Sequence, residues 1–478
     1  MRSTRIHTLQ ADLTLPAAHS PSPGMSAPLS SPPISKDVKE VIDAMQTTTA
    51  NTPLQERLFI EGGKPLKGEV TTSGAKNSVL KLMAAALLSP HPVRISNVPR
   101  LSDVAVMQDV LEYLGAKVET QQDANGTDAV LIDCAAIHSC HAPYELVSKM
   151  RASFVVLGSL LGRFGEAKVS LPGGCTIGKR GVDLHIKGLT ALGAEIQLNH
   201  GYVEAKAAKL SGATIVLDTP SVGATENILL AAVLAEGTTV LSNAAQEPEI
   251  VDLANFLNAM GADIHGAGNN EIVIHGVSPK DLHAADYAVM PDRIEAATYI
   301  MAAIGTGGSV VVKQVPLRGL DAVLGKLAEM GAEIQMLSRS SVKIKSHKAR
   351  LQPVSLITQP FPGFPTDLQA PLMTLATVAE GSSVITETLY ENRFKQVGEL
   401  SRMGAQIEVQ GNVAIVQGIE RLAGAPIKAH DLRAGAAMLI AGLMADGKTE
   451  IFDLHHLDRG YERLVEKCQG LGANIQRI

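Results

Sequence analysis

The sequence predicts an α/β protein built from six similar units that divide into two domains of three. Three observations support this fold class. A glycine motif recurs six times, a second helix–turn–strand pattern alternates with it, and apolar residues make up 45% of the chain. The 478 residues are enough for two or three domains of about 150 residues each. A composition of this kind excludes global disorder and allows a large core.

The recurring motif is a glycine that follows an amphipathic segment and precedes an alternating one. Its six copies are spaced roughly 70 residues apart, at Gly115, Gly193, Gly261, Gly331, Gly404 and Gly472. Glycine is favoured in the left-handed conformation just past a helix end. The alternation of apolar and polar residues after it predicts a strand. Each copy therefore predicts a helix, a turn and a strand.

The second pattern is an apolar helix, a glycine-containing turn and a strand. It occurs as "LAEGTTVLSN", "IGTGGSVVVK", "VAEGSSVITE" and "MADGKTEIFD". One unit of two helices and several strands cannot bury its own sheet, so the units must pack together. We expect a ligand site between the two three-unit domains.

Composition and charge limit the remaining possibilities. Residues 1–53 are rich in Pro, Ser and Ala, which predicts a flexible extension. The net charge of −6 argues against a general nucleic-acid binder. No apolar run reaches the ~18 residues of a membrane span. The four cysteines contain no CxxC pair, which favours reduced thiols and a cytoplasmic location.

The stretch "LPGGCTIGKRGVD" is the most unusual segment for a cysteine. Cys175 follows a Gly-Gly pair and precedes Lys179 and Arg180. Cations and loop amides lower the pKa of a thiol below its usual ~8.5, which predicts a reactive cysteine beside an anion site. A buried structural cysteine is the alternative. The other three cysteines, Cys134, Cys140 and Cys468, are interpreted as packing residues.

Several helix starts carry polar residues that could bind an anion. Lys76 and Asn77 fall in the first turn of an apolar helix, where backbone N–H groups favour negative charge. An exposed lysine is the alternative there. Arg151 begins another apolar helix, with a weaker version of the same signal. The segment from Ser221 to Gly223 precedes a third helix and offers backbone donors.

The C-terminal half supplies further charged residues at helix starts. Asp292 and Glu295 are interpreted mainly as helix caps. Asp367 follows a proline turn and is the exceptional acid among arginines. Those arginines and the Cys175 loop predict two cationic walls, the C-terminal one formed by Arg393, Arg433 and Arg459. No metal site is predicted, because His455 and His456 are adjacent and lack a partner at helical spacing.

Nine segments in order resemble one known family. They are "SGAKNS", "KMRASF", "SLPGGCTIG", "SVGATENI", "PDRIEA", "FPTDLQA", "ENRF", "DLRA" and "DRGYER". The chain resembles the UDP-N-acetylglucosamine 1-carboxyvinyltransferase family of enolpyruvyl transferases over about residues 54–478. The resemblance implies two inverse α/β barrel domains of three repeats each. It places them at residues 76–290 and at residues 54–75 plus 291–478.

The resemblance also implies an activity and its substrates. The family transfers the enolpyruvyl group of phosphoenolpyruvate to the 3-hydroxyl of UDP-N-acetylglucosamine and releases phosphate, with no cofactor. It implies that Cys175 is a general acid that can form a covalent phospholactoyl adduct. Lys76, Arg180 and Arg459 would hold phosphate and carboxylate, and Asn77 would steady the tetrahedral intermediate. Asp367 would be the base at the sugar hydroxyl.

The nucleotide-sugar pocket is implied in the same way. Its expected residues are Arg151, Arg180, Gly181, Val182, Asp183, Leu184, Ser221, Val222, Gly223 and Leu389, with Arg393 and Arg433 completing the substrate-binding set. Thr219 stands where some family members carry a lysine, which leaves that nucleotide contact open. Two other functions stay open: enolpyruvyl transfer to shikimate 3-phosphate, and a non-catalytic nucleotide-sugar sensor.

Overall fold

The computed structural model describes residues 56–122, 128–173, 181–345 and 350–478. The predicted 1–53 extension lies outside them. The α-helices of the described residues are Lys76–Ala85, Ser102–Leu114, Tyr144–Val147, Val156–Phe164, Asp183–Ala191, Val222–Ala232, Pro248–Ala259, Arg293–Gly305, Asp321–Glu329, Gln369–Ala376, Gln396–Arg402, Leu432–Met444 and Leu464–Gly470. None of these helices is long and apolar enough to cross a membrane.

The strands of the described residues number 24 and are labelled β1 to β24 in chain order. They are Leu58–Glu61, Lys67–Thr71, Val93–Ser96, Lys117–Gln122, Asp128–Asp133, His141–Ala142, Glu166–Ser170, Glu195–Asn199, Tyr202–Lys206, Thr214–Val216, Thr238–Ser242, Asp263–His265, Glu271–His275, Ala285–Ala288, Ser309–Lys313, Ile334–Ser338, Ser341–Ile344, Ser355–Ile357, Ser382–Thr386, Gln406–Gln410, Val413–Gln417, Pro426–Lys428, Lys448–Phe452 and Asn474–Arg477.

These strands form six four-stranded sheets with one shared topology. The sheet orders are β22-β23-β1-β24, β10-β11-β13-β12, β14-β3-β5-β4, β16-β17-β15-β2, β18-β19-β21-β20 and β6-β7-β9-β8. Each sheet has one parallel pair at an edge and two antiparallel pairs after it, as in β10-β11 followed by β11-β13 and β13-β12. Six sheets of identical pairing confirm the predicted six-unit α/β fold.

The recurring glycines take the conformation that the sequence predicts. All six have positive φ angles, from 83° to 110°, which a residue with a Cβ adopts only with strain. Gly115 is typical: it ends the helix Ser102–Leu114 in the left-handed region and β4 follows. The repeat can therefore turn sharply from helix into strand at each copy.

Two separate hydrophobic clusters fill the interior. One draws its buried residues from positions 75–289, and the other draws them from positions 58–70 and 294–475. β1 and β2 pair with strands from the C-terminal half, while β14 pairs with β3 in the other group. The two clusters support the proposed division into one domain of residues 76–290 and another of residues 54–75 plus 291–478.

The chain passes from one cluster to the other twice, and the two passages lie side by side. Gly74 forms an antiparallel bridge with Pro291, and the backbone N–H of Asp292 donates to the carbonyl of Ser73 at 2.9 Å. A Cβ on Gly74 would lie 1.9 Å from the carbonyl oxygen of Asn97, so this passage requires glycine. The pairing of these two segments places Lys76 and Asp292 next to each other.

Candidate functional site

Asp367 is the centre of the first group of charged side chains. It lies in the 3-10 turn Thr366–Leu368, directly before the helix Gln369–Ala376. Its Oδ1 accepts a hydrogen bond from Arg393 Nη2 at 2.5 Å, and its Oδ2 accepts one from Arg433 Nη2 at 2.7 Å. Both arginine side chains are buried, whereas 27% of the Asp367 side chain is exposed. The arginines hold the carboxylate while part of it stays accessible.

The arginines also set the charge of this carboxylate. Burial alone would raise the pKa of Asp367, but the charges of Arg433 and Arg393 outweigh burial and hold the pKa well below its usual value. Asp367 is therefore ionised at neutral pH, as its position among arginines predicts.

Asp103 is the centre of the second group. It lies in the first turn of the helix Ser102–Leu114 and its side chain is 4% exposed. One carboxylate oxygen is 2.7 Å from Lys76 Nζ, and the other accepts a hydrogen bond from Arg459 Nε at 2.8 Å. Burial opposes ionisation, but Lys76 and then Arg459 hold the pKa of Asp103 below its usual value. Lys76 and Arg459, both predicted site residues, are thus joined by one buried carboxylate.

Sequence reasoning missed Asp103. An acid in the first turn of a helix is commonly explained by the helix dipole alone, and nothing in "RLSDVAV" distinguishes this one. The signal that could have revealed it is the burial of a charged residue, which requires a partner of opposite charge. Burial of a side chain from an exposed-looking helix start is visible only in the folded chain.

The two groups are close enough for their charges to influence each other, and together they form one candidate site. Burial lowers the pKa of Lys76, Asp103 opposes this shift, and the nearby charge of Arg433 adds to it. Lys76 in turn helps to lower the pKa of Asp367. The site therefore combines two carboxylates with four cations, which are Lys76, Arg393, Arg433 and Arg459. Each carboxylate is shared by two cations, so both groups retain positive charge that a bound anion can neutralise.

The helix start at Lys76 differs from expectation in one respect. The sequence predicts that a ligand anion occupies the N-terminus of the helix Lys76–Ala85. The backbone N–H of Lys76 instead donates to Asp292 Oδ2 at 3.2 Å. The other oxygen of Asp292 caps the helix Arg293–Gly305, accepting from the N–H groups of Ile294 and Glu295. Asp292 therefore accepts hydrogen bonds from the N-termini of two helices. The part of this segment that is left to bind a ligand anion is the side chain of Lys76.

Arg151 belongs to a separate group with the 181–184 segment. Its Nη2 donates to the carbonyl of Gly181 at 3.2 Å. His185 lies at the start of the helix that Asp183 begins, and its Nδ1 accepts a hydrogen bond from Asn227 Nδ2 at 2.8 Å. Gly223 lies over the His185 ring, since a Cβ there would be 3.0 Å from its Cε1.

This second group has a neutral histidine at its centre. Burial, followed by the charge of Arg151, lowers the pKa of His185 to about 4. Ser221 caps the helix Val222–Ala232, accepting from the N–H of Ala224 at 3.4 Å. The side chains of Val182, Leu184 and Val222 pack against the first cluster. The structure thus brings Arg151, Gly181–Leu184 and Ser221–Gly223 together, and adds His185 and Asn227, which the sequence did not single out.

Other predicted residues stand apart or cannot be placed. Cys175 and Arg180 lie outside the described residues. Asn77 is half-buried one residue after Lys76, and its carbonyl accepts from Lys81 Nζ at 2.6 Å. The N–H of Leu389 donates to Glu387 at 2.9 Å, and no hydrogen bond joins Leu389 to either charged group among the described residues.

The interpretation of the other cysteines as packing residues agrees with their surroundings. Cys134 and Cys468 are buried and Cys140 is half-buried, all as free thiols. Burial raises the pKa of Cys134 and of Cys468 to about 12, and it also raises the pKa of Cys140. These thiols are therefore poor nucleophiles at neutral pH.

Comparison with known sequences places the chain among carboxyvinyltransferases. The profile of the EPSP synthase family (3-phosphoshikimate 1-carboxyvinyltransferase) matches residues 60–468. A UDP-N-acetylglucosamine 1-carboxyvinyltransferase 2 from Carboxydothermus hydrogenoformans is 52% identical over 423 residues, which are 88% of this chain and 99% of the relative. A UDP-N-acetylglucosamine 1-carboxyvinyltransferase from Gloeobacter violaceus is 53% identical, covering 88% of this chain and 90% of its own.

Solved structures agree on the fold. The enolpyruvyl transferase NikO from Streptomyces tendae superimposes with a TM-score of 0.79 at 30% identity, covering 89% of this chain and 99% of that one. An EPSP synthase from Acinetobacter baumannii gives a TM-score of 0.68 at 21% identity, covering 89% and 100%. At 21% identity the second likeness concerns the fold alone.

Proposed function

The chain belongs to the EPSP synthase family of enolpyruvyl transferases, and we propose that it transfers the enolpyruvyl group of phosphoenolpyruvate to the 3-hydroxyl of UDP-N-acetylglucosamine, releasing phosphate. This reaction is the first committed step of peptidoglycan synthesis. Relatives that carry the name of this activity are 51–53% identical to the chain over nearly its whole folded part. The likeness to EPSP synthases at 21% identity supports the fold but not shikimate 3-phosphate as acceptor.

The observation that carries the proposal is the pair of carboxylate-centred cation groups in one site. Phosphoenolpyruvate carries a phosphate and a carboxylate, so it requires several converging cations. Lys76 and Arg459 are positioned by the buried Asp103, and Arg393 and Arg433 converge on Asp367. A nucleotide-binding protein without catalysis would not need a partly exposed, ionised carboxylate among these cations.

The proposed reaction uses an acid and a base on different segments. Cys175 gives a proton to the methylene carbon of phosphoenolpyruvate, which leaves an oxocarbenium-like centre at the adjacent carbon. The 3-hydroxyl oxygen of the sugar attacks that carbon while its proton passes to Asp367. A proton then leaves the new methyl group as the carbon–oxygen bond to phosphate breaks, which restores the vinyl group and releases phosphate.

The low pKa of Asp367 fits this role only when substrate is bound. Arg433 and Arg393 by themselves make the carboxylate a weak base. An anion that binds beside the same cations offsets their charge and raises the pKa of Asp367. Substrate binding thus improves the base at the moment when it is needed.

The nucleotide sugar is proposed to bind in the Arg151 group. The proposed pocket consists of Arg151, Arg180, the segment from Gly181 to Leu184, the segment from Ser221 to Gly223, and Leu389. The convergence of Arg151 with Gly181, and of Gly223 with His185, supports a pocket there. We also propose a cytoplasmic location, since both substrates carry several charges and do not cross a membrane unaided.

The experiment that tests the function is a phosphate-release assay with phosphoenolpyruvate and three acceptor conditions. We expect phosphate release with UDP-N-acetylglucosamine and none with shikimate 3-phosphate or without acceptor. Release with shikimate 3-phosphate would show the alternative transferase. Binding of UDP-N-acetylglucosamine with no phosphate release under any condition would show a sensor.

Cys175 offers an independent test of the chemistry. Cys175→Ala is expected to lose about 10²–10⁴-fold in turnover, which is the usual contribution of a general acid. Cys175→Asp is expected to retain activity, because a carboxylic acid can also donate a proton. Fosfomycin, which alkylates this cysteine in the family, should inactivate the wild type and spare Cys175→Asp. Equal inactivation of both proteins would contradict the assignment.

A further inference from the structure

A group of two histidines and one aspartate lies on the outer face of the sheet β10-β11-β13-β12. Asp263 and His265 are the ends of β12, and His275 is the last residue of β13, directly opposite Asp263. Ile264 and Ile274, which alternate with them along the strands, are buried in the first cluster. The three polar side chains therefore share the exposed face because successive residues of a strand point to opposite faces.

The ligand atoms of these three residues are close enough to bind one ion. One ligand atom from each residue lies within 4.8 Å of the other two. His265 Nε2 is 2.6 Å from Asp263 Oδ1, and the rings of His265 and His275 are 6.0 Å apart between centroids. All three side chains are exposed, so their rotamers can adjust by the small amount that coordination requires.

A neighbouring hydroxyl holds His275 in a suitable orientation. His275 Nδ1 is 3.0 Å from Thr238 Oγ1, a residue directly opposite it on β11. When Nδ1 carries the proton and donates to the hydroxyl, Nε2 presents its lone pair to the ion. Metal-binding histidines typically have their second nitrogen fixed by such a partner.

We propose that Asp263, His265 and His275 form a surface site for one borderline divalent transition-metal ion of the Zn²⁺ class. Two imidazoles and a carboxylate suit Zn²⁺ rather than Mg²⁺ or Ca²⁺, which prefer oxygen ligands. The ion is coordinated by His265 Nε2 and Asp263 Oδ1, which separate to admit it, and water fills its remaining positions. It joins the three-residue edge strand β12 to β13. The predicted absence of metal rested on His455 and His456 alone and did not consider this sheet.

The test measures Zn²⁺ binding to the full-length, untagged chain by titration calorimetry. The variants are Asp263→Asn, His265→Ala and His275→Ala, with His91→Ala as a control for an exposed histidine elsewhere in the chain. The wild type and the control are expected to bind one more equivalent of Zn²⁺ than His265→Ala and His275→Ala. Asp263→Asn is expected to weaken that site by at least about tenfold, because losing the charge of a direct ligand costs no less than losing an outer-shell partner.

Comparison between variants removes the effect of thiols, which also bind Zn²⁺ and are the same in all proteins. Thr238→Val is expected to weaken the site without abolishing it, because it removes only the orienting hydroxyl. Equal stoichiometry and affinity in the wild type and in both histidine variants would overturn the proposal. No binding by the wild type would overturn it as well.

Discussion

The carboxylates of the candidate site differ from two other buried carboxylates of the same chain. Asp103 and Asp367 each contact two cations, and their pKa values lie below the usual range. Glu226 contacts Lys81 and Glu295 contacts Lys467, one lysine each. There burial outweighs the lysine and raises the pKa of each glutamate to about 7.

The difference lies in the number of cations and not in the depth of burial alone. One lysine does not compensate for removing a carboxylate from water, whereas two cations do. In the candidate site, Asp103 and Asp367 are each paired with two Lys or Arg side chains. A half-buried acid that stays ionised is costly to maintain, which is the behaviour expected of a functional group.

The largest expected effect comes from removing the charge of Asp367. Asp367→Asn keeps the size of the side chain and one acceptor for the arginines but cannot take a proton. If Asp367 is the base, we expect turnover to fall by about 10²–10⁴-fold at saturating substrates. The calorimetric binding constant for UDP-N-acetylglucosamine should remain near that of the wild type.

The matched control is Asp286→Asn. Asp286 also pairs with an arginine, Arg94, but it is exposed and lies on β14. An exposed ion pair contributes little, so this variant should match the wild type in turnover and stability. If Asp367→Asn turned over as fast as Asp286→Asn, Asp367 would be a scaffold residue and the attacking hydroxyl would lack an identified base.

A smaller and different effect is expected at Asp103. Asp103 is buried beneath Lys76 and Arg459, so we assign it a positioning role. Asp103→Asn should raise the KM for phosphoenolpyruvate by about 10- to 100-fold, as loss of a hydrogen bond to a charged group does. The turnover number should change much less, because Asp103 does not contact the reacting atoms in this arrangement.

A rise in KM without a matching fall in the turnover number distinguishes a positioning role from general destabilisation of the fold. A variant that was only less stable would lose both activity and thermal stability without selectively changing the KM for phosphoenolpyruvate. An unchanged KM would mean that Asp103 has no positioning role, and a lower KM would mean that it competes with the substrate for Lys76 and Arg459. The comparison between the two acids would then have to be redrawn.

Much of the fold could be predicted because its signals are local. The six glycines mark helix ends by their conformational freedom, and the alternation after each one marks a strand. The helix starts at Lys76, Ser221 and Asp292 were also recognisable from single residues. These features depend on neighbours within a few positions of the sequence.

The site could be predicted only in part, because its contacts join distant segments. Asp103 and Arg459 are 356 positions apart in the sequence and meet only in the folded chain. His185 and Asn227 were missed for the same reason. The anion expected at the start of the Lys76 helix turned out to be Asp292, since a carboxylate from a distant segment can satisfy a helix N-terminus as well as a ligand can.

The smallest expected effect concerns Glu226 and Glu295, the buried glutamates that each contact one lysine. It is measured as the pH dependence of the free energy of unfolding. The folded chain keeps a proton on Glu295 up to about pH 7, whereas an unfolded glutamate releases it near pH 4.5. The stabilisation from this group is therefore fully present below about pH 4.5 and is lost as the pH rises towards 7. Each such group contributes at most about 1.4 kcal/mol per pH unit.

Glu295→Gln removes this titration but keeps an acceptor for the backbone N–H of Ser73, which donates to Glu295 at 2.7 Å. Urea unfolding followed by circular dichroism across that pH range should show a shallower loss of stability in Glu295→Gln than in the wild type. Adding Glu226→Gln should flatten it further, because Glu226 has the same shift. Asp286→Asn should leave the slope unchanged. If the double variant lost stability with pH as steeply as the wild type, one lysine would suffice to keep these glutamates ionised. The number of cations around an acid would then no longer distinguish the candidate site from the rest of the chain.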